Sequence, residues 1–408
     1  MNTKKTVAMI LSLFFRSSLV LGQQYGWVAL NPASIPGTPD LADVFFITDN
    51  EGWISSSSAA EIYHTTDGGQ TFTIQTTALP CEAIWMLNAD TGFAGGQSGF
   101  VYKTTNGGLN WNFHGTIVNT LTGISFPSQT ADTGYACGFN GAVWRINSGG
   151  VTDLNSGFGG SFSGISAPSV NNVIVCGGSS IYQYNGAAFI EQSAPTGAFS
   201  SIDFFNDLRG WVAGEVLIGG LIAATKDSAN WVVLALPVDP LYGINVLDTN
   251  NVWAVGVNGA LFHCANASDF GFDTTTSTGW TNTIWTQEAQ GLTTEFLRNI
   301  YMTSTTNGYA VGNNKTLLKY TQLTPVEENA STNKLAVFPN PTTGIVQLQL
   351  PFPNEVDDVE LFDVFGKQIL KEAKTINHQL DLCALSSAVY LLKVKYREQL
   401  FFERIIKQ

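Results

Sequence analysis

The chain has 408 residues, of which 44% are hydrophobic and only 12% are charged, so it can bury a large core. The formal net charge is −13, and residues 23–322 alone hold 21 acidic and 7 basic side chains, which excludes the basic surface that nucleic-acid binding needs. The 41 glycines, together with the scarcity of charge, are typical of an all-β, turn-rich chain and not of a helical one.

Residues 1–22 have the pattern of a secretory signal peptide. Lys4 and Lys5 form a basic start, residues 7–15 form an apolar run, and Val20 and Gly22 stand at −3 and −1 of a cleavage site before residue 23. The apolar run is too short to span a bilayer, and no later segment is long enough. The sequence therefore predicts an exported mature chain without a membrane span.

A short apolar strand that runs into a glycine recurs about every forty residues, and such a period indicates an array or a closed ring of repeats. The aligned residues are Trp53, Phe93, Tyr135, Ile174, Trp211, Trp253 and Tyr309. Each copy except the seventh contains four short strands with tight turns, and one such sheet cannot bury both of its faces alone. We therefore predict an all-β fold, a seven-bladed β-propeller over residues 23–320.

The segment before the first repeat supplies a strand that the seventh repeat lacks. Residues 25–30 (YGWVAL) resemble a fourth strand such as residues 230–234 (NWVVL). We expect residues 25–30 to pair into blade seven and close the ring, because closure removes exposed sheet edges.

Two of the turns between third and fourth strands share a motif of hydroxyl, acid or amide, glycine and aromatic residues. The two copies are Thr65, Asp67, Gly69, Phe72 and Thr104, Asn106, Gly108, Trp111. This pattern resembles the Asp-box, also called the BNR repeat. Because the carboxylate or amide oxygen accepts backbone N–H groups and pins the turn, we expect a structural role for these residues.

Over residues 25–320 the chain resembles secreted Asp-box propellers and propellers related to the photosystem II assembly/stability factor. The resemblance implies the fold and says little about activity, because propellers host many functions.

The chain changes character after the repeats. Residues 321–334 are polar and read as a linker, and residues 335–408 read as a small β-sandwich. The opening FPNP-x-x-G at 338–344, the D-x-x-G-K turn at 363–367, the L-x-L-x-x-L stretch at 380–385 and the V-Y-L-L-K-V strand at 389–394 resemble the type A C-terminal sorting domain of the type IX (Por) secretion system.

One departure from that family is Ala388, which stands where the family usually has glycine. The resemblance implies Sec export followed by passage across the outer membrane through the type IX machinery, and removal of the domain. It also implies that the cargo is secreted or held at the outer cell surface. An ordinary adhesive sandwich is the alternative.

Hydrolysis is the catalytic function that Asp-boxes suggest. A sialidase needs an arginine cluster, and residues 23–320 hold only Arg145, Arg209 and Arg298. A xyloglucanase-like enzyme needs two carboxylates across a cleft, for which Asp43, Glu82 and Glu295 are candidates. We assign no catalytic residue, no metal site and no cofactor, and we read the cysteines as small buried hydrophobes.

Binding is the function that the loops favour. Aromatic and basic residues near the entries of first strands are candidate ligand contacts: His114, Tyr242, Phe296 and Arg298. The long insertion in blade six offers a second candidate site with Trp280 and Trp285. The sequence thus predicts a monomeric, non-catalytic propeller that binds an extracellular glycan or protein. A sialidase- or xyloglucanase-like glycoside hydrolase is the alternative, and an assembly-factor-like scaffold is a further one.

Overall fold

The computed structural model describes residues 24–128, 131–273, 278–323, 335–349, 358–363, 367–372, 379–396 and 399–408. The chain divides into two compact units, one ending at Leu323 and the other starting at Thr324. The proposed signal peptide and nearly all of the proposed linker lie outside the described residues. The described residues form strands and short turns, with no α-helix among them, which confirms the all-β prediction.

The first unit contains seven four-stranded antiparallel sheets among its described residues, which we number 1 to 7 in chain order. The strands of sheets 1 to 4 are β2 Leu41–Phe46, β3 Gly52–Ser56, β4 Glu61–Thr65, β5 Thr73–Thr76; β6 Cys81–Met86, β7 Gly92–Gly96, β8 Phe100–Thr104, β9 Asn112–Thr116; β10 Leu121–Ser125, β11 Thr133–Gly138, β12 Val143–Asn147, β13 Gly150–Asp153; β14 Gly164–Ser169, β15 Asn172–Gly177, β16 Ser180–Tyr184, β17 Phe189–Glu191.

Sheets 5 to 7 continue the pattern, with a hairpin inserted in sheet 6. Their strands are β18 Ala198–Phe204, β19 Gly210–Val216, β20 Gly219–Thr225, β21 Trp231–Ala235; β22 Leu241–Val246, β23 Val252–Gly256, β24 Leu261–Cys264, β27 Trp285–Gln287, with the hairpin β25 Phe270–Asp273 and β26 Thr278–Thr281; and β28 Leu297–Ser304, β29 Asn307–Gly312, β30 Leu317–Gln322, with β1 Tyr25–Leu30.

The first strands of the seven sheets contact one another in cyclic order, and β28 of sheet 7 contacts β2 of sheet 1. The repeat residues lie on the second strands and are all buried between neighbouring sheets. Some of them also join sheets through hydrogen bonds: Trp53 Nε1 donates to Gly107 O (3.1 Å) and Tyr309 Oη donates to Asp49 O (2.8 Å). The aromatics that define the repeat therefore hold the ring together.

The N-terminal strand closes the ring as predicted. β1 pairs antiparallel with β30, with Trp27 opposite Tyr320. Trp27 packs in the same core as Trp253, and its Nε1 donates to Glu288 Oε2 (2.9 Å) of sheet 6. The first and last segments of the unit thus share one sheet, which removes an exposed edge.

Three of the sheets turn from the second to the third strand through one short 3₁₀ turn, at Gln97–Gly99, Phe139–Gly141 and Val257–Gly259. The last residue of each turn is a glycine with positive φ. At Gly141 (φ +71°) a Cβ would lie 1.9 Å from the carbonyl oxygen of Phe158, so only glycine fits there. Four of the five cysteines are buried, and none of the five forms a disulfide in the described part of the chain.

The second unit contains two antiparallel sheets. One consists of β31 Ala336–Phe338, β32 Ile345–Gln349 and β35 Gln379–Asp381; the other of β34 Gln368–Glu372, β33 Asp358–Asp363, β36 Ala388–Tyr396 and β37 Gln399–Lys407. Val346 and Leu380 from the first sheet and Leu361 and Leu392 from the second share one core. This is the sandwich that the alternation of apolar residues predicts.

Candidate functional site

The first strands of the ring enclose a cavity of about 750 Å³. One residue on each first strand pairs with the repeat residue of the second strand, and all seven of these residues line the cavity. They are Phe45, Trp85, Ser125, Ser166, Asp203, Asn245 and Tyr301. Because side chains alternate along a strand, a single register position sets the character of the cavity wall.

Three of these seven residues are aromatic and lie on adjacent sheets. Phe45 of sheet 1 lies between Trp85 of sheet 2 and Tyr301 of sheet 7, with ring centroids 4.9 Å away on each side. Phe45 is buried, whereas Trp85 and Tyr301 are only partly buried. Sheets 7, 1 and 2 therefore present a continuous aromatic wall to the cavity, and we use that name for these three residues.

The other four of the seven residues are polar, and their side chains connect each sheet to the next through hydrogen bonds. Each one accepts a hydrogen bond from a backbone N–H of the following first strand. The four bonds are Ala167 N to Ser125 Oγ (3.0 Å), Phe204 N to Ser166 Oγ (3.0 Å), Val246 N to Asp203 Oδ2 (2.8 Å) and Met302 N to Asn245 Oδ1 (2.9 Å). We call Ser125, Ser166, Asp203 and Asn245 the polar wall.

A second carboxylate, Asp43 of sheet 1, lines the cavity two residues before Phe45. Its Oδ2 accepts Ile84 N (2.8 Å), and its Oδ1 accepts Val44 N (2.8 Å) and Asn299 Nδ2 (2.5 Å). Asp43 therefore joins sheet 1 to sheets 2 and 7. Burial raises its pKa to about 6, against the opposing effect of these hydrogen bonds.

Burial has the same effect on the other acidic groups of the cavity. It raises the pKa of Asp203 to about 7, although the Val246, Phe204 and Ser166 hydrogen bonds act the other way. Burial, with the added charges of Asp203 and Asp43, raises the pKa of Tyr301 to about 12. The three groups thus share one poorly solvated space in which a negative charge is costly unless a cation accompanies it.

The mouth of the cavity brings together three of the residues that the sequence pointed to. Arg298 Nε donates to Asn313 Oδ1 (2.7 Å), and its guanidinium lies 5.6 Å from the Phe296 ring centroid. Tyr242 packs against Phe296 at 4.6 Å. Arg298 is also 4.0 Å from a carboxylate oxygen of Glu82, a second residue of the mouth. Burial raises the pKa of Glu82, although Arg298 lowers it.

The remaining sequence candidates lie elsewhere. His114 is in β9, the outermost strand of sheet 2, and not in an entry loop; its Nε2 lies 2.7 Å from Asn147 O and its ring contacts Phe93. Among the carboxylates, Asp43 and Glu82 line the cavity, whereas Glu295 is not among its lining residues. The carboxylate candidates are thus reduced to two, and sequence reasoning missed Asp203.

The insertion in sheet 6 is not the loop of exposed aromatics that the sequence suggested. Phe270 is buried beside Trp211, and the β25–β26 hairpin packs against β21 of sheet 5. Trp285 is partly buried, and Trp280 is 52% exposed. The hairpin therefore extends the packing between sheets 5 and 6 and leaves one exposed aromatic.

The turn residues act on their own turns. Asp67 Oδ1 accepts Gln70 N (3.0 Å), Thr71 N (2.9 Å) and Thr65 Oγ1 (2.8 Å). Burial alone would raise the pKa of Asp67, but the Thr71 and Thr65 hydrogen bonds lower it to about 2. In the second turn, Asn106 Oδ1 accepts a hydrogen bond from Asn110 N (3.0 Å), and Thr104 Oγ1 accepts one from Gly108 N (2.8 Å).

The aromatics of both motifs are buried close to the turns. Phe72 lies in the core shared by sheets 1 and 7, and Trp111 donates to Gln75 Oε1 (3.0 Å). Gly69 and Gly108 have positive φ, as tight turns of this kind require. These contacts are those of a structural turn.

Within the described ranges, no three His, Cys, Asp or Glu side chains are grouped so that they could share a metal ion. The same ranges contain no helix with the length and hydrophobicity needed to cross a membrane.

The first unit is similar to solved propeller structures. "YCF48 bound to D1 peptide" is 20% identical, with a TM-score of 0.56, and the match covers 73% of this chain and 94% of that one. YCF48 from Cyanidioschyzon merolae is 16% identical (TM-score 0.55; 72% and 98% covered). A catalytically inactive virginiamycin B lyase from Staphylococcus aureus is 15% identical (TM-score 0.60; 74% and 100% covered). At these identities the likeness shows the propeller fold alone.

The second unit matches a known sorting domain. Residues 336–408 match the family model described as a secretion system C-terminal sorting domain. This domain directs the chain through type IX secretion to the cell surface or the extracellular space. No curated protein sequence matches the chain.

Proposed function

We propose that this exported propeller is a non-catalytic binding protein whose ligand, a glycan or a protein segment, enters the central cavity. The observation that carries the proposal is the division of the cavity into an aromatic wall and a polar wall. In such a cavity the aromatic wall can stack against the apolar face of a ligand, while the polar wall forms hydrogen bonds with its polar groups. Tyr242, Phe296 and Arg298 at the mouth are the first contacts that an entering ligand meets.

The raised pKa values of the Asp43 and Asp203 carboxyl groups favour binding over hydrolysis. A glycosidase needs one carboxyl group with a raised pKa as the acid and a second, ionised carboxylate as nucleophile or base. Here the pKa of both Asp43 and Asp203 is raised, and both side chains are held by backbone N–H groups of neighbouring strands. A glycoside hydrolase of the Asp-box type is the second candidate, because three carboxyl groups, those of Asp43, Glu82 and Asp203, line one cavity.

Several finer assignments belong to the same proposal. We assign residues 1–22 to a Sec signal peptide, residues 23–320 to a propeller of the Asp-box type, residues 321–334 to a linker and residues 335–408 to a type A sorting domain. The exported protein acts as a monomer. We also assign a binding role to the mouth residues and a structural role to the Thr65–Phe72 and Thr104–Trp111 turns, and the contacts described above support both assignments.

The test is to screen the purified full chain on glycan and peptide arrays, with product analysis of every glycan hit. We expect at least one class of ligand to bind without being cleaved. Trp85→Ala, which removes part of the aromatic wall, should weaken binding about tenfold or more. Trp280→Ala is the matched control, because this tryptophan is exposed outside the cavity.

Each outcome decides between the candidates. Cleavage products that disappear in Asp203→Asn would support the hydrolase. Binding that Trp280→Ala abolishes and Trp85→Ala leaves intact would move the site to the sheet 6 hairpin and contradict the proposal.

A further inference from the structure

A patch of exposed aliphatic side chains lies on sheet 5. It consists of Leu217 and Ile218 in the turn between β19 and β20, and Leu236 and Val238 in the segment between β21 and β22. The exposed fractions of the four side chains are 101%, 90%, 63% and 85%. We call these four residues the aliphatic ledge. Large aliphatic side chains grouped in this way are a common mark of a protein contact surface.

The two segments of the ledge are held together by backbone contacts. Gly220 N donates to Pro237 O (2.8 Å), and Val216 pairs with Gly219 across the turn. A Cβ on Gly219 would lie 2.5 Å from Pro237 O, so the segments are in close contact. The ledge is therefore a preformed surface on a sheet turn.

The ledge lies beside the start of β22, which carries the mouth residue Tyr242. A Cβ on Gly220, just after the turn that holds Leu217 and Ile218, would lie 3.3 Å from Leu241 Cγ, and Leu241 directly precedes Tyr242. Tyr242 lines the cavity and packs against Phe296. The ledge is therefore close enough to Tyr242 for one extended ligand to contact both.

The interior of the cavity is suited to a cation. Asp203 Oδ2 accepts a short hydrogen bond from Val246 N (2.8 Å), whereas the hydrogen bonds from Ser166 Oγ to Oδ1 and from Asn245 Nδ2 to Oδ2 are long, at 3.5 Å each. Across the ring stand the partly buried faces of Trp85 and Tyr301. A carboxylate that retains weakly bonded acceptor sites and shares a cavity with aromatic rings is an environment that favours an ammonium or guanidinium group.

The charges around this interior point the same way. Asp43 lines the cavity, Glu82 lies at the mouth, and Asp40 is 4.0 Å from Arg298. Among the lining residues, Arg298 is the one basic side chain. It already donates a hydrogen bond to Asn313 and lies 4.0 Å from carboxylate oxygens of both Asp40 and Glu82. A second cation entering the cavity would therefore meet a net acidic surface.

We infer that the ligand is a polypeptide segment that inserts a lysine or arginine side chain between the aromatic wall and Asp203 and covers the aliphatic ledge with neighbouring apolar residues. The inference rests on the proposed binding function and names its ligand class. A sugar, whose surface is largely hydroxyl groups, gains little from contact with exposed leucine and isoleucine side chains. An apolar peptide side chain buries them, and the hydrophobic effect then stabilises the complex. The acidic cavity then selects among apolar peptides.

The probes are short synthetic peptides with one Lys or Arg flanked by Leu, Ile or Val, and a matched set in which Gln replaces the basic residue. Binding to the purified full chain is measured by fluorescence polarisation. We expect the basic set to bind at least about tenfold more tightly than the Gln set.

Three variants assign the contacts. Asp203→Asn keeps an oxygen for Val246 N and should remove the preference for the basic set. Leu217→Ser combined with Ile218→Ser should weaken both sets about tenfold or more. Leu208→Ser is the control, because Leu208 is also an exposed leucine (56%) but lies in the β18–β19 turn, at the other end of these strands.

The outcomes separate this inference from the proposed function. If Gln peptides bind as well as basic ones, or if neither Asp203→Asn nor the ledge variant alters binding, the inference is wrong. If glycans bind in a Trp85-dependent manner and no peptide does, the inference is wrong and the proposed function stands. If nothing binds in the cavity, both are wrong.

Discussion

Asp203 and Asp43 each do two things that depend on the same carboxyl group. Each latches first strands of different sheets through backbone N–H donors, and each faces the cavity. The latch requires an oxygen acceptor and not a charge, so a protonated carboxyl or an amide can serve it. The negative charge is therefore available for a ligand, and in the free protein it is costly.

This cost makes stability depend on pH. The pKa of Asp203 is about 7 in the folded chain, against 3.8 ordinarily, so the folded state holds the proton more tightly. The resulting stability is fully present below about pH 4 and is lost as the pH rises through about 7. We expect the Asp203 carboxyl to lower the free energy of unfolding by up to about 1.4 kcal/mol per pH unit between pH 5 and about pH 7, with little further change at higher pH.

Asp203→Asn should weaken this dependence, because the amide does not titrate, and the smaller fall that remains is due to Asp43, whose pKa is raised to about 6. Urea unfolding of both proteins at pH 5 and pH 8 measures it, and Asp153→Asn, at an exposed aspartate, should behave like the wild type. Identical pH profiles for the wild type and Asp203→Asn would show that the carboxyl is not buried as described.

A second residue-scale prediction concerns the 3₁₀ turns. Gly141→Ala places a Cβ 1.9 Å from a backbone carbonyl oxygen at a positive φ, whereas Gly157, also at positive φ, has nothing within 4 Å of a Cβ. We expect Gly141→Ala to cost about 2 kcal/mol more than Gly157→Ala in chemical unfolding. Equal costs would mean that the turn relaxes freely and that the contact carries no constraint.

At the scale of elements, the strands and the turns follow from the sequence because each is specified locally. Apolar alternation, glycines at most turns and one large buried side chain at the repeat position of each copy are enough to place a four-stranded sheet. The pairing of β1 with β30 also follows, because the seventh copy lacks a strand and residues 25–30 resemble one.

The insertion in sheet 6 shows where this reasoning ends. Its aromatics alone do not reveal that Phe270 packs beside Trp211 of the preceding sheet, since no sequence period marks that contact. His114 shows the same limit, because a one-element shift moves it from an entry loop to an outer strand.

Closure by β1 is an energetic claim as well as a topological one. Trp27→Ala removes a buried side chain and the donor to Glu288 Oε2 from the closing strand. We expect a loss of about 3 kcal/mol or more and a clearly lower Tm by calorimetry. Trp280→Ala, the same substitution at an exposed site, should change the Tm little; a Trp27→Ala melt like that of the wild type would contradict closure by this strand.

At the scale of the whole molecule, the scaffold and the cavity wall are built from different residues. The repeat residues are buried between sheets, whereas the cavity is lined by first-strand residues that differ from copy to copy. Trp85, Asp203 and Tyr301 become neighbours in one cavity only because the ring closes, so no local signal in the sequence groups them. One signal was available: these residues occupy the register position opposite the repeat residue on the adjacent strand.

The second unit determines where the molecule acts. Removal of residues 336–408, the segment that matches the sorting domain, should leave the propeller inside the cell envelope. Fractionation of the producing cells and their medium, with the full chain as control, measures this. Truncated protein at the cell surface or in the medium, in the amount found for the full chain, would contradict the assignment.

The most direct test of the whole account is a structure of the full chain with the tightest ligand from the arrays. We predict that the ligand lies in the central cavity between Trp85 and Asp203 and leaves it past Tyr242. A ligand bound at the outer strands or at the sheet 6 hairpin, with the cavity unchanged, would contradict the account.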